Sequence, residues 1–132
     1  MTSKIFSLEQ KLTDQLVLLK SRFSAVAIKG EFEAEGSSCR DLLRLRRLTV
    51  QQNIPLYLKI GGVEALRDLK DAIDLGVDGL IAPMVESAFG VVKFTGAVES
   101  IFGKQKLFKS INIETRESVD NIDEILEVAK RK

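Results

Sequence analysis

The chain alternates between short apolar runs and longer amphipathic segments, and this alternation constrains its fold more than any other feature. The apolar runs cover residues 25–29, 56–60, 79–82 and 107–113. They begin 31, 23 and 28 residues apart, a spacing typical of a strand followed by a returning helix. Short strands joined by helices form parallel sheets through βαβ crossovers. The sequence therefore predicts an α/β fold with four parallel βα units.

Helix signals fill the segments between these runs. A leading helix is predicted over residues 7–22, because leucines recur on one helical face and Ser7 with Gln10 resembles a capping box. Further helices are predicted over about 39–53, capped by Ser37 or Ser38, over 63–75, ended by Gly76, and over 87–101, capped by Ser87. A last helix follows Thr115, and its inward residues are predicted to be Val119, Ile122, Ile125, Leu126 and Ala129. No linker or low-complexity tract interrupts the chain. We therefore expect a single domain over residues 1–132, in which the leading helix precedes four βα units over about 25–132.

Four βα units can form a small open doubly wound sheet or half of a (βα)₈ barrel, and side-chain parity distinguishes the two. A sheet covered by helices on both faces needs strands that are almost continuously apolar. Run 56–60 instead alternates between apolar and mixed positions, and Lys29, Lys59, Asn112 and Glu114 fall on the mixed face near the strand ends. This pattern predicts a parallel (βα)₄ half of a TIM-type barrel with a leading N-terminal helix.

A flavodoxin-like binding domain is a third, weaker alternative. It requires the strand order 2-1-3-4 and a phosphate ligand at the point where that order reverses. The sequence offers only Gly61-Gly62 for such a ligand, and this pair lacks the third glycine of the dinucleotide-binding fingerprint.

Composition excludes several kinds of chemistry. The chain contains no His, no Trp and one Cys. It therefore cannot build a Ser-His-Asp or Cys-His nucleophile system, a Cys/His zinc site, or an internal disulfide. Its 20 basic and 19 acidic residues give a net charge of +1, unlike a nucleic-acid-binding protein. No apolar run is long enough for a signal peptide or a membrane span, so we expect a cytoplasmic protein that binds neither nucleic acid nor membrane.

Ligands of α/β folds bind at the carboxyl ends of the strands, and polar residues follow each predicted strand. These candidates are Lys29, Glu31, Glu33 and Glu35 after the first strand, Lys59, Gly61, Gly62 and Glu64 after the second, Glu86 after the third and Glu114 after the fourth. Carboxylates grouped at one rim suit Mg²⁺, which prefers oxygen ligands. The Gly61-Gly62 backbone could approach a carboxylate or phosphate at the start of the next helix.

Each candidate also has a purely structural explanation. The glutamates at 31, 33 and 35 could form a solvated acidic loop, and Gly61-Gly62 could be a tight turn. Lys59 could belong to a structural ion pair, and Glu114 could interact only with the dipole of the next helix. The arginines of the second helix are interpreted as a solvated outer face: Arg40, Arg44, Arg46 and Arg47.

Two segments resemble the HpcH/HpaI aldolase and citrate lyase β-subunit family. The first is NIET at residues 112–115, followed by NIDEIL at 121–126, and the second is LGVDGLIAPMVESA at 75–88. The resemblance covers about residues 25–130. It implies that the chain corresponds to the N-terminal half of a (βα)₈ barrel of the phosphoenolpyruvate/pyruvate superfamily.

The resemblance also implies an activity and a set of roles. Members of this family make or break carbon–carbon bonds next to an enolate of a 2-oxo acid or a CoA thioester, with Mg²⁺ or another divalent ion. By this likeness Glu114 is a metal ligand, and Lys59 takes the place of an arginine that supports the substrate oxygen. Gly61 and Gly62 are expected, from their position before the next helix, to help to bind the small anionic substrate. Two further residues support the metal ligand without touching the metal: Glu86 and Asn112.

The sequence departs from the family in ways that change the expectation. The second metal carboxylate of the family follows the next strand, which lies beyond residue 132. The His base of its aldolases is absent, and Glu31 or Glu33 would have to replace it. We therefore expect weak or no activity from this chain alone. The alternative is a non-catalytic half-barrel that serves as a binding or assembly module. Its two unpaired sheet edges favour a homodimer or higher oligomer.

Overall fold

The computed structural model describes residues 4–132 and contains six helices and four strands within them. In chain order these are α1 (Lys4–Phe23), β1 (Ile28–Glu31), α2 (Cys39–Gln51), β2 (Leu56–Lys59), α3 (Leu66–Leu75), β3 (Gly79–Ala82), α4 (Ala88–Phe102), β4 (Phe108–Ile111), α5 (Arg116–Asp120) and α6 (Ile122–Ala129). No helix within the described part of the chain is long and apolar enough to cross a membrane.

The four strands form one parallel sheet in the order β1-β2-β3-β4. Each strand lies beside its neighbour in sequence, so the order never reverses. This confirms the predicted (βα)₄ half of a TIM-type barrel. It excludes the flavodoxin-like alternative, because that fold places its first strand between the second and the third.

The helix-covered face of the sheet holds the apolar core. Leu56 and Leu58 of β2 and Leu80 of β3 are completely buried there, and they pack with α3 and α4 residues such as Leu69 and Phe94. Full burial of each such side chain contributes roughly 1.5–3 kcal/mol. This face therefore provides most of the free energy that holds the sheet and helices together.

The opposite face of the sheet, which we call the inner face, is mixed in polarity and open. Tyr57 of β2 and Phe108 of β4 stack across β3 with ring centroids 4.6 Å apart. Gly79 of β3 makes this possible, because a Cβ atom there would lie 2.6 Å from the Tyr57 ring. Half of the Phe108 side chain is exposed, so nothing among residues 4–132 closes over this face.

The first strand lies later in the sequence than predicted. Residues 25–27 of the predicted strand 25–29 are not paired, and β1 instead runs from Ile28 to Glu31. The reason lies in the end of α1: Ser24 has a positive φ of 54°, and the Ala25 N–H donates to the Leu19 carbonyl. Residues 24–27 therefore turn the chain out of α1, which spans Lys4–Phe23 where residues 7–22 were predicted.

The last predicted helix is divided in two at Asn121. The Asn121 amide donates to the Glu86 carbonyl at 3.0 Å, and α5 ends at Asp120. Val119 and Leu126, which the single-helix prediction placed inward, are 58% and 45% exposed. Ile125 is fully buried, as predicted. The predicted caps of the earlier helices, in contrast, are present: Ser38 before α2, Ser87 before α4 and Gly76 after α3.

Candidate functional site

The carboxyl ends of the strands open onto a cavity of about 610 Å³, which we call the rim cavity. Its lining combines residues that lie far apart in the sequence: Glu33, Ala34, Lys59, Pro83, Met84, Glu114 and Thr115. The sheet register explains this, because the βα loops after β1, β2, β3 and β4 all leave the same edge. Two of the predicted site residues, Lys59 and Glu114, are thus brought to one cavity.

Beside this cavity, a buried carboxylate lies between two lysines. Glu31 is only 3% exposed, and its Oε2 accepts a hydrogen bond of 2.7 Å from Lys29 Nζ. Lys59 Nζ lies 3.6 Å from Oε1 of the same carboxylate. The strands place the three side chains together, because Glu31 pairs with Lys59 in the register and Lys29 precedes it by two residues on the same face. We call these residues the Lys-Glu-Lys cluster.

Protonation within the cluster is set by its hydrogen bond. The bond from Lys29 lowers the pKa of Glu31 below its usual value, and the charge of Lys59 adds to this, although burial acts in the opposite direction. The same bond raises the pKa of Lys29. Glu31 therefore stays ionised at neutral pH and is a weak proton acceptor. Its geometry is better suited to bonding a lysine than to removing a proton from a substrate.

The interpretation of the glutamates at 31, 33 and 35 as a solvated acidic loop is wrong for Glu31 and agrees with the structure for Glu33 and Glu35. Glu31 is the last residue of β1 and points into the sheet's inner face, whereas Glu33 and Glu35 are exposed in the following loop. The strand ends later than predicted, and this shift moves Glu31 from the loop into the interior.

Lys59 is the least fully paired member of the cluster. Its nitrogen is 3.6 Å from Glu31 Oε1, beyond a normal hydrogen bond, and Oε1 is a buried oxygen with no hydrogen-bond partner within residues 4–132. The Lys59 side chain is 21% exposed and borders the rim cavity. Its ammonium group can therefore donate hydrogen bonds to a molecule in that cavity.

Glu114 is exposed at the start of the loop after β4 and is held in place by two donors. The Met84 N–H donates to Oε1 at 2.9 Å, and Asn112 Nδ2 is 3.3 Å from Oε2. Met84 has a positive φ of 45°, which residues other than glycine rarely adopt. The structure therefore brings Asn112 to Glu114 and leaves each carboxylate oxygen with lone-pair capacity toward the cavity.

The described residues do not form a complete divalent-metal site. Within residues 4–132, no three Cys, Asp or Glu side chains lie close enough to share a metal ion. Glu33 is the other carboxylate that borders the rim cavity. Mg²⁺ requires six oxygen ligands in near-octahedral geometry, so Glu114 with waters alone leaves such a site unfinished.

The remaining predicted residues lie at the margin of the cavity or outside it. The Gly61 N–H donates to Asp68 Oδ2 at 2.7 Å, and α3 begins only at Leu66, so the turn itself already uses this amide. Gly62 is partly exposed beside it. The Glu86 side chain is exposed and does not border the rim cavity, and its carbonyl oxygen accepts the hydrogen bond from Asn121.

A second charged pair, at the amino end of the strands, was not foreseen from the sequence. Arg46 lies 2.6 Å from Asp78 Oδ2, and the same oxygen accepts a hydrogen bond of 2.9 Å from the Leu56 N–H. The Arg46 side chain is only 19% exposed, so the interpretation of this arginine as part of a solvated face is wrong. The partners are 32 residues apart, and no local sequence pattern signals their contact.

Comparison with known proteins identifies the fold. No protein-family model matches the chain, and no curated protein matches it in sequence. Among solved structures, it is similar to an HpcH/HpaI aldolase/citrate lyase family protein from Burkholderia cenocepacia J2315, with a TM-score of 0.65 and 13% sequence identity. The match covers 90% of this chain and 63% of that chain, so this chain spans less than two thirds of that protein. The likeness confirms the predicted fold, and the matched protein carries the name of the family that the sequence motifs resemble.

Proposed function

We propose that this chain forms the anion-binding half of a carbon–carbon lyase or aldolase site, which acts on a 2-oxo acid or an acyl-CoA-type substrate through an enolate. The observation that supports this is the Lys-Glu-Lys cluster at the rim cavity. Two lysines face one buried carboxylate there, so the cluster itself keeps a net charge of +1. Two further carboxylates border the same cavity, Glu33 and Glu114, and a divalent cation bound beside them would offset their charge. An anion in the rim cavity would then complete the neutralisation.

Lys59 is the group that would bind the substrate. Glu31 is bonded to Lys29 at 2.7 Å, so its attraction is largely directed to that lysine, and Lys59 remains free to donate into the cavity. An ammonium group beside a substrate carbonyl stabilises the negative charge that develops on that oxygen as an enolate forms. It acts as a point charge and, unlike arginine, does not hold a carboxylate with two parallel bonds.

Glu31 would act as a counter-ion to the two lysines rather than accept a proton. Its lowered pKa keeps it charged, and its buried Oε1 draws the ammonium toward the inner face. Gly61 and Gly62 would contribute backbone at the edge of the substrate, with Gly62 the more available of the two because Asp68 engages Gly61.

Glu114 would supply one carboxylate toward a divalent ion such as Mg²⁺, held in place by Asn112 and the Met84 amide. The other ligands would have to come from strands outside this four-stranded sheet. Glu33 is the carboxylate at the rim cavity that would be left to accept a proton. We therefore expect the chain by itself to bind substrate anions more readily than it turns them over.

Titration of the isotope-labelled chain with pyruvate and with oxalate, followed by NMR, tests this proposal. We expect the amide signals of residues 59–62 and 83–85 to shift in a saturable way. Lys59→Gln should weaken binding about 10- to 100-fold, because a hydrogen bond to a charged group contributes about 1.5–3 kcal/mol. Lys70→Gln, an exposed lysine of α3, is the matched control and should bind as the parent chain does. Equal affinities in the two variants would overturn the assignment of Lys59.

A non-catalytic half-barrel is the second candidate, and it is favoured by the lack of a complete metal site among residues 4–132. Exchange of the pyruvate methyl protons in D₂O separates the two candidates, because it requires enolate formation but no second substrate. Exchange in the presence of Mg²⁺ that disappears in Lys59→Gln supports the lyase proposal. Saturable anion binding without any exchange, even at high protein concentration, supports the binding module.

A further inference from the structure

The sheet ends in two strand edges that have no partner. On β1, the N–H groups of Ile28 and Phe32 donate to carbonyls on the β2 side. Because bonding direction alternates along a strand, the amides of Lys29 and Glu31 point away from the sheet. Within residues 4–132, no strand pairs with this outer edge.

The far edge of β4 is unpartnered in the same way. The N–H groups of Phe108 and Asn112 donate toward β3, so those of Lys109 and Ile111 point outward. Both free edges belong to parallel strands that run in the same direction. An edge of β1 and an edge of β4 are therefore suited to pair with each other in parallel, provided they come from different molecules.

The chain exposes more surface than a compact protein of its size. A monomer of 14.7 kDa is expected to expose about 6,900 Å². This chain exposes 8691 Å². The excess of about 1,800 Å² is more than the area of about 800 Å² that each partner buries in a stable protein–protein interface. The surplus is thus large enough to be covered by a second molecule.

The helical layer ends in two apolar surfaces, one on α1 and one between α4, β4 and α6. Successive helices contact each other in the order α1, α2, α3, α4, α6, so α1 and α6 lie at the two ends. On α1, an apolar stripe is 39–67% exposed and consists of Ile5, Leu8, Leu12, Leu19 and Phe23. Between α4, β4 and α6 lies a groove of about 310 Å³, whose lining includes Leu107, Ile111 and Ala129 and is bordered by Lys109 and Lys132.

The two ends of the layer also carry opposite charge. Helices α1 and α2 together contain eight basic and three acidic side chains, which gives +5. Helices α5 and α6 contain one basic and five acidic side chains, which gives −4. Three basic residues follow α6 at the amino end of the strands, where Lys109 contacts the Lys132 carbonyl. Along the body of the helices, one end of the molecule therefore complements the other.

From these observations we infer that a second copy of this chain covers both edges, and that β1 of each copy pairs with β4 of the other. Two four-stranded sheets joined in this way close an eight-stranded parallel barrel about a two-fold axis. The α1 stripe of one copy would cover the α6 groove of its partner. Closure would also bring a second set of strand ends to the same rim, and so a second Lys59 and a second Glu114. The inference does not depend on any role of these two residues in binding or catalysis.

Sedimentation velocity of the purified 132-residue chain, from micromolar to millimolar concentration, is the first test. We expect one species of twice the 14.7 kDa monomer mass. A monomer across the whole range contradicts the inference. So does an assembly that keeps growing with concentration, because the proposed contact closes at two copies. Lys59→Gln should leave the dimer intact, which separates this test from the test of the proposed function.

A charge exchange then identifies the surface. In one variant, Lys11→Glu and Arg22→Glu reverse two exposed charges that flank the α1 stripe. In the other, Glu124→Lys and Glu127→Lys reverse two exposed charges on α6. Each variant alone should be monomeric, because like charges then meet at both contacts. An equimolar mixture should form a heterodimer, since opposite charges meet again at both.

The control for this exchange reverses charges in the middle of the helical layer. Arg67→Glu with Asp74→Lys changes two exposed residues of α3 and should leave the homodimer unchanged. Circular dichroism of all variants establishes that each is folded. Folded single variants that remain dimeric, or a mixture that stays monomeric, would place the contact on another surface and overturn the inference.

Discussion

The two ends of the parallel sheet each carry a charged cluster, and the clusters differ in how completely their groups are paired. At the amino end, Asp78 Oδ2 accepts hydrogen bonds from both Arg46 and the Leu56 N–H. At the carboxyl end, Glu31 is bonded to Lys29 only, and its Oε1 has no hydrogen-bond partner in the described residues. The first cluster joins α2, β2 and the start of β3, whereas the second borders a cavity.

This difference separates a stabilising role from a binding role on one sheet. A polar cluster whose groups bond to each other adds rigidity, and removal of one member takes that bond away from the others. A cluster with excess cation gains little from its own contacts but can still bind an anion. The barrel architecture makes the same division, with stability at the amino end of the strands and ligands at the carboxyl end. Variants at each end should therefore affect different measurements.

The largest effect is expected from Asp78→Ala. It leaves the Leu56 N–H without an acceptor beside a completely buried side chain, and it leaves Arg46 unpaired. We expect the free energy of unfolding in urea to fall by about 1–3 kcal/mol, because the Asp78 side chain is 43% exposed and solvent weakens its ion pair. Asp74→Ala, an exposed acid of α3, should change it by less than about 0.5 kcal/mol. Oxalate affinity should be the same in both variants. A loss of oxalate affinity in Asp78→Ala alone would contradict the separation of stability and binding between the two ends of the sheet.

Glu31→Gln is expected to destabilise the fold less than Asp78→Ala does, and to strengthen the binding of oxalate. The amide keeps the shape of the side chain but leaves two lysines without a counter-ion. The free energy of unfolding should therefore fall by about 1–2 kcal/mol. Oxalate should bind about 3- to 10-fold more tightly, because Lys59 is no longer attracted to a carboxylate. The control is Glu33→Gln in the exposed loop. A decrease in affinity for Glu31→Gln would show that the carboxylate itself supports the ligand.

The pH dependence of stability gives a smaller, signed effect. Hydrogen bonding to Lys29 holds the pKa of Glu31 below its usual 4.5, so the stabilisation it provides is present above that pH and is lost as the pH falls through the folded-state value. The pKa of Lys29 lies above its usual 10.5, so its contribution is present below that pH and is lost as the pH rises through the folded-state value. The difference in unfolding free energy between the parent chain and Glu31→Gln should thus be constant near neutrality and shrink in acid. A difference that does not decrease as the solution is acidified would contradict the ion pair.

The smallest effect on stability is expected from Lys29→Met. Its side chain is half exposed, so its bond to Glu31 contributes less than about 1 kcal/mol to folding. The consequence for binding is more informative: Glu31 is then free to attract Lys59, and oxalate affinity should fall several-fold. Lys70→Met serves as the control. An unchanged affinity would show that Lys59 is not shared between Glu31 and the ligand.

The sequence predicted the architecture well because that architecture depends on local, periodic signals. The strand spacing predicted four parallel βα units, and the parity of Leu56, Leu58 and Lys59 predicted one apolar and one mixed face. Both features follow from the side-chain alternation of a strand. The caps at Ser38, Ser87 and Gly76 were also readable, because each depends on only a few neighbouring residues.

The sequence predicted less of the site, because the site depends on register and on contacts between distant residues. A shift of three residues in the start of β1 changes Glu31 from a loop residue into a buried one. The pairing of Glu31 with Lys59 depends on how two strands align whose paired residues are 28 positions apart, which no local pattern specifies. Likewise, the acceptor of Gly61 is Asp68, on the next helix, and this bond limits the anion-binding role that the glycine pair suggested.

The stacking of Tyr57 on Phe108 across Gly79 makes the inner face its own spectroscopic reporter. The chain has a single tyrosine and no tryptophan, so its tyrosine emission arises from one ring at a known place. Anything that fills the interior of the barrel, whether a ligand or the sheet of a second molecule, changes the water contact of that ring. Emission and near-ultraviolet dichroism of the unlabelled protein can therefore follow occupation of this face during the same titrations and dilutions, without an added dye.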